Sequence, residues 1–220
     1  MTTSQARLEP STELLSASIK RLLLDRIVHG TYQPGERIVE LQIARELGVS
    51  QSPIREALRD LAGIGVVTIH PRRGARVRLP TAKELTDVSV VRAEIDALAA
   101  RLAAELAGED VLSALAELID TMFDQLDKKN FPAVTEADVR FHQLIAETST
   151  NHAILRTFDQ LAPFARTFIT LTLPDVDVRE IVAEHVVILD ALRAHDPEAA
   201  AAAARTHQLN VSCLLQSNFS

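Results

Sequence analysis

Residues 36 to 59 constrain the fold more tightly than any other part of the chain. They read as two short amphipathic helices hinged at Gly48-Val49-Ser50. Ile43, Ala44 and Leu47 give the first helix an apolar face, and Ile54, Ala57, Leu58 and Leu61 give the second a matching one. Two such faces joined by a tight corner pack at a steep angle, which is the geometry of a helix-turn-helix. Gly48 supplies the backbone freedom that the corner needs, Ser50 or Ser52 is placed to cap the second helix, and Pro53 fits only in its first turn. Ser50, Gln51, Ser52, Arg55 and Arg59 then project from the second helix, and its N-terminal end is where a recognition helix meets base edges.

The residues that follow extend this to a winged form. Gly63 to Gly65 close the unit, and residues 66–69 and 75–79 read as two short strands around His70-Pro71-Arg72-Arg73-Gly74. A hairpin tip carrying Arg72, Arg73 and Gly74 is suited to a minor groove or to phosphates. The expected DNA-binding domain spans residues 11–80, behind a polar and frayed tail at 1–10.

Gln33-Pro34-Gly35-Glu36-Arg37, Glu40, Ala44, Leu47-Gly48-Val49-Ser50, Pro53-Ile54-Arg55-Glu56-Ala57-Leu58, Leu61 and Gly74 together resemble the GntR family of bacterial transcription regulators. The family usually has Arg where this chain has Gln51. Arg favours guanine O6 and N7 and Gln favours adenine N6 and N7, each worth about 1–3 kcal/mol of discrimination. The operator of this chain is therefore expected to differ from those of typical relatives.

Charge is divided unevenly over the 220 residues. Residues 1–80 hold 12 Lys and Arg against 8 Asp and Glu, whereas residues 81–220 hold 11 against 22, giving nets of +4 and −11 and the overall −7. A basic head on an acidic body suits a DNA reader joined to a domain that does not touch DNA, so overall acidity is no argument against nucleic acid. The single cysteine, Cys213, excludes an intramolecular disulfide and a Cys-rich zinc module, and is expected as a small buried residue. No apolar run approaches the roughly 20 residues of a membrane span and the N-terminus lacks a signal-peptide core, so a soluble cytoplasmic protein is expected.

Beyond Leu79-Pro80, Thr81-Ala82-Lys83-Glu84 is a capping box that starts a second domain. Leu85, Val88, Val91, Ile95, Leu98, Leu102 and Leu106 predict the apolar stripe of one long helix ending at Gly108. Leu112, Leu115, Ile119, Met122 and Leu126 predict a second helix, and residues 131–148 a third. A fourth covers 151–171 and is stopped by Pro174. Asp177 and Glu180 cap a fifth reaching Ala194, and Asp196-Pro197 caps a sixth reaching about Gln216. With no strand pattern and short connections, the expectation is a mostly α chain whose residues 81–220 form an antiparallel six-helix bundle.

Asp138 and His142 lie four residues apart, so about 40° separates them around the helix and both face one way. His185 and His207 fall near the middles of the fifth and sixth helices, and bundling can bring interior positions of different helices together. Three imidazoles and a carboxylate suit zinc, nickel, manganese or iron better than calcium or magnesium. On spacing alone, solvated or capping histidines remain the competing account. His152 and His195 stand at helix boundaries as solvated end residues, and His29 and His70 read as structural or DNA-proximal.

Glu94 to Ala104, Asp138 with Phe141-His142, Glu184-His185 with Ile188 and Ala191-Leu192, and His207 are similar to the FCD ligand-sensing domain of the FadR subfamily, in its six-helix VanR-like branch. That resemblance implies one divalent transition metal per chain, zinc foremost, held by Asp138, His142, His185 and His207. It also implies a cavity for a small organic acid lined by Arg92, with Arg140 and Arg166 as weaker candidates. Arg92 alternatively pairs with Asp96 at i,i+4. The function implied is a homodimeric regulator, a repressor by expectation, that binds a pseudo-palindromic double-stranded operator and responds to an organic-acid effector. The alternatives are a regulator responding to metal alone and a metal-dependent hydrolytic enzyme.

Overall fold

The computed structural model describes residues 12–70, 73–79, 81–172 and 178–218, with backbone alone at 12–13, 82, 164–172 and 215–218. The chain divides after Leu79 into two compact units.

In the first unit, α1 (Thr12–Val28) packs against α3 (Gln51–Gly63), and α2 (Glu40–Leu47) crosses to meet α3. Ile19, Leu23 and Ile27 of α1 meet Ile43 of α2 and Ile54, Leu58 and Leu61 of α3, all essentially inaccessible to water. Each such side chain contributes about 1.5–3 kcal/mol by burial, so the predicted apolar faces do close on one another. Gly48 turns the corner at φ 66°, and its N–H bonds the Ala44 carbonyl. Ser50 occupies the N-cap of α3 in extended conformation, but neither serine caps through its side chain as predicted. The Ser50 hydroxyl makes no cap bond, and Ser52 lies exposed in the first turn beside buried Pro53.

The wing is larger than a hairpin. β1 (Arg37–Ile38), β2 (Val67–His70) and β3 (Gly74–Val77) form an antiparallel sheet in the order β1-β3-β2. The two expected strands exist, at 67–70 rather than 66–69 and at 74–77 rather than 75–79, with His70 opposite Gly74. β1 was not predicted because two residues carry no alternation, and its partner strand lies 39 residues away, Arg37 pairing with Arg76.

The second unit contains α4 (Ala82–Leu106), α5 (Glu109–Asp127), α6 (Phe131–Thr148), α7 (His152–Thr172), α8 (Arg179–Arg193) and α9 (Pro197–Asn218). The described residues therefore hold the six predicted bundle helices. The capping box is formed: Thr81 Oγ1 accepts from Glu84 N, and the Glu84 carboxylate accepts from Thr81 N. Asp196 likewise accepts the N–H groups of Glu198 and Ala199 to start α9. α8 begins after Val178 rather than at an acidic cap, and Asp177 and Pro174 lie outside the described residues, as does the tail at 1–10.

Two expectations about burial are corrected. Cys213 is exposed. On α4 the predicted stripe holds only in part: Leu85 is buried and Ile95 and Leu102 pack partly buried on the core, but Val91, Leu98 and Leu106 are exposed, and the inner face is built mainly by Arg92, Ala93, Asp96, Ala97, Ala100, Ala103 and Ala104. α9 packs along α4 and supplies Ala200, Ala201 and Ala204 to the interior, so small residues let the two helices approach closely.

Candidate functional site

α3 presents its polar residues outward, as the sequence predicts. Ser50, Ser52, Arg55 and Arg59 are exposed and Gln51 is half-buried, while Pro53, Ile54, Ala57 and Leu58 face the core. Arg55 is held from both sides: its Nε donates to Glu40 Oε2 at 2.7 Å and Nη2 donates to Gln51 Oε1 at 2.9 Å. Glu40 was not among the predicted site residues, since only the α2–α3 crossing brings it to Arg55. A cleft of about 100 Å³ between α3 and the sheet is lined by Glu40, Arg55, Leu58, Arg59, Ile69 and Ala75. At the wing, Arg73 is exposed and Gly74 sits at φ 80°, a left-handed conformation that disfavours other residues. Arg72 lies outside the described residues.

In the bundle, α6, α8 and α9 bring Asp138, His142, His185 and His207 together, with one potential donor atom from each lying within 4.8 Å of the others. His185 Nε2 is 3.2 Å from Asp138 Oδ1, and His142 Nε2 is 3.9 Å from the same oxygen. The rings pack edge-on or stacked, with centroids 5.3 Å (His142–His185), 5.2 Å (His142–His207) and 4.4 Å (His185–His207) apart, and Phe141 walls one side at 4.8 Å from His185. All three imidazoles are at most 3% exposed, and each Nε2 is buried without a hydrogen-bond partner.

The electrostatics favour a cation. Burial drives His142 well below the ordinary imidazole range and lowers His207 too, so both are neutral with a free lone pair at neutral pH. Burial pushes the Asp138 carboxyl up, but the facing imidazoles more than offset this and hold it well below the usual carboxylate range. One carboxylate, three buried imidazoles and three orphaned nitrogens are the donor chemistry of a divalent transition-metal centre, so the residues present fit such an ion.

Around this cluster lie groups that were not singled out as site residues. His185 Nδ1 meets the Val182 carbonyl at 3.1 Å, and His207 Nδ1 meets Glu184 Oε2 at 3.0 Å. His142 Nδ1 faces Asp96 Oδ2 at 3.6 Å. The Arg92–Asp96 pair exists at 3.0 Å, but it is buried, both side chains being 5% exposed. Burial raises the Asp96 carboxyl, partly countered by Arg92 and a bond from Gln208. The Arg92 guanidinium also lies over the Phe158 ring, 5.5 Å from its centroid, and its Nε has no acceptor. Arg140 is not brought to the cluster: it is exposed and donates to Glu147 at 2.9 Å. The Arg166 side chain lies outside those described. His195 is exposed just past the end of α8, as expected of an end residue, and also tethers it, its Nδ1 donating to the Ala104 carbonyl at 2.7 Å.

Residues 15–77 match the bacterial regulatory proteins of the gntR family, and residues 87–210, more than half of the chain, match the FCD domain. The chain belongs to the GntR family. This GntR protein is 29% identical over 196 residues to the probable D-xylose utilization operon transcriptional repressor of Paenarthrobacter nicotinovorans, covering 88% of this chain and 85% of that one. It is 30% identical over 182 residues to the HTH-type transcriptional regulator YdhC of Bacillus subtilis strain 168, covering 79% of each. Its fold is similar to that of McbR/YncC of E. coli, with a TM-score of 0.83 at 21% identity over 94% of this chain and 99% of that one. The GntR protein is thus a DNA-binding transcription regulator and not an enzyme. No described helix is long and apolar enough to cross a membrane.

Proposed function

We propose that this GntR protein is a repressor whose operator binding is controlled by a small organic acid held at a divalent-metal centre in the FCD bundle. The observation that carries the reading is the Asp138/His142/His185/His207 cluster, its three imidazoles buried with unpartnered Nε2 atoms. A buried polar atom left unsatisfied costs about 1–3 kcal/mol, and one shared cation would satisfy all three at once. When bound, the ion, zinc foremost with nickel, manganese or iron as alternatives, supplies a Lewis-acidic position able to take an effector carboxylate.

Arg92 completes the reading. Its guanidinium is buried, with Nη2 fixed on Asp96 and Nε lacking an acceptor, which suits a second anionic or hydroxyl group of an effector. Sugar acids, hydroxy acids and dicarboxylates offer such a pair of oxygen groups. The similarity to a repressor of a D-xylose operon supports both the repressing sense and a sugar-derived effector.

At the other end, Ser50, Gln51, Ser52, Arg55 and Arg59 of α3 read the major groove, and Arg72, Arg73 and Gly74 follow the backbone or the minor groove. Two copies meet a pseudo-palindromic operator as a homodimer. Exposed Val91 and Leu98, seven residues apart on α4, support self-association.

The test is a thermal-shift screen of the purified protein against each metal alone and against each metal with a panel of acids. A ligand present at 100 times its Kd stabilises by about 2.7 kcal/mol, which such a screen detects. Stabilisation by an acid only when metal is present supports the reading. Response to metal alone removes the organic effector, and response to neither removes the metal. His142→Ala or His185→Ala should lose bound metal, and elemental analysis still finding the wild-type metal content would exclude these ligands. Asp138→Asn should weaken binding less, because an amide oxygen still coordinates.

A further inference from the structure

We propose that Glu184 is a positioning residue for the histidine cluster: by accepting the Nδ1–H of His207 it fixes the tautomer that leaves Nε2 as a bare lone pair inside the bundle. This rests on the metal reading above and assigns a role to a side chain outside the four donors.

The hydrogen bonds decide which nitrogen of each ring carries the proton. An ionised carboxylate only accepts, so the 3.0 Å contact between His207 Nδ1 and Glu184 Oε2 places the proton on Nδ1. A carbonyl oxygen also only accepts, so the 3.1 Å contact of His185 Nδ1 with Val182 protonates the same atom there. In a neutral imidazole the other nitrogen then has no hydrogen. In His207 that nitrogen, Nε2, is the buried and unpartnered atom, whereas His185 Nε2 faces Asp138 Oδ1 at 3.2 Å. His185 takes its partner from the preceding turn of its own helix, but His207 depends on a side chain of the neighbouring helix α8.

Glu184 is itself held. Its second oxygen, Oε1, accepts from Asn210 Nδ2 at 2.6 Å, and Asn210 stands three residues after His207 on α9. One carboxylate on α8 thus grips two successive positions on one face of α9, fixing the imidazole orientation as well as its tautomer. The Glu184 side chain is 27% exposed, so the position borders water while His207 does not. Without the carboxylate, water reaching Nδ1 is free to donate to it, and the proton can move to Nε2, removing the lone pair. A metal would then have to reverse that transfer and reorient the ring. Loss of a partner of this kind lowers metal affinity about 10- to 100-fold.

The experiment uses full-length protein stripped of metal with a chelator, as wild type, Glu184→Ala and Asn210→Ala. Nitrogen-15 NMR of the imidazoles reports the protonated nitrogen in each metal-free protein, and competition against a chromophoric chelator reports zinc affinity. The wild type should show His207 protonated at Nδ1. Glu184→Ala should convert His207, but not His185, to a mixture of tautomers and bind zinc about 10- to 100-fold more weakly, with Asn210→Ala falling between. Alanine suits a helix, and the wild-type spectrum is informative whether or not the variant folds. Wild-type His207 protonated at Nε2 overturns the proposal. So does a folded Glu184→Ala with unchanged tautomer and zinc affinity, which leaves the metal reading standing. A wild type that shows Nδ1 protonation yet takes no zinc removes the metal reading, and the positioning role with it.

Discussion

Arg55 projects from the recognition helix with its charge already answered, because Glu40 and Gln51 take Nε and Nη2. In the proposed reading this leaves the Nη1 end of the guanidinium to meet a base, and Gln51 braces Arg55 as well as facing a base itself. Arg55→Ala should cost about 1–3 kcal/mol of operator discrimination. The melting temperature should barely move, since the side chain is exposed. Glu40→Gln should act differently: with the carboxylate gone, binding to random duplex should tighten several-fold while the ratio of specific to random binding falls. Fluorescence anisotropy on selected and scrambled duplexes measures both, and an unchanged ratio would make Glu40 a bystander. The buried histidines carry a separate expectation. The folded state favours neutral His142 and His207 more than the unfolded chain does, so protons bind preferentially to the unfolded state below the ordinary imidazole value. Metal-free protein should therefore lose stability as pH falls through about 6.5, with Asp138 adding to the loss only at more acidic pH, below the usual carboxylate value of about 3.9. Melting temperatures in chelator from about pH 7.5 to about pH 5.5 test this, and a flat profile would mean the rings are solvated.

α4 shows why large apolar residues can mislead about which face of a helix is inside. Its buried side is built from Ala93, Ala97, Ala100 and Ala104 with Arg92 and Asp96 among them, so its interior is small and partly charged. Counting large apolar residues puts Val91 and Leu98 on the inner stripe, but both are exposed, although Leu85, Ile95 and Leu102 of the same stripe do pack inward. The close α4–α9 contact that alanine permits is then vulnerable to volume. Ala100→Leu, at a position with no exposure, should cost about 1–3 kcal/mol by overpacking. Val91→Ala should cost little in the monomer, and calorimetry distinguishes the two. Elsewhere the residues announced their structure through local chemistry: the Thr81–Glu84 box, the Asp196 cap and the Gly48 corner all act within a few residues of themselves. β1 did not, because its two residues gain a partner only from β3. The site divides in the same way. Asp138 and His142 share a face by helical spacing alone, whereas the approach of His185 and His207, and the roles of Glu184 and Asp96, depend on how α6, α8, α9 and α4 are laid side by side.

The two halves carry opposite charge, +4 against −11, so the head alone supplies attraction to DNA and the bundle opposes non-specific adhesion. Control of one by the other, in the function proposed, is then a matter of linkage. An effector that weakens operator binding must itself be bound more weakly by the factor it imposes, about 5- to 150-fold for couplings of this kind. Arg92 is the residue through which to perturb this, but deletion is a poor probe. Arg92→Ala would leave Asp96 as a buried charge without its partner, a loss of about 3–5 kcal/mol that could be mistaken for lost signalling. Arg92→Lys keeps a cation beside Asp96 and gives up the planar fork that binds two oxygens at once. It should leave operator affinity without effector nearly unchanged, raise the effector concentration needed to release DNA, and preserve the melting temperature far better than the alanine variant. Calorimetric titration of the effector found in the thermal screen, with and without operator, completes the test. Equal affinities in the two wild-type titrations would mean that the bundle ligand does not control DNA binding, and an unaltered response in Arg92→Lys would confine Arg92 to its pairing with Asp96.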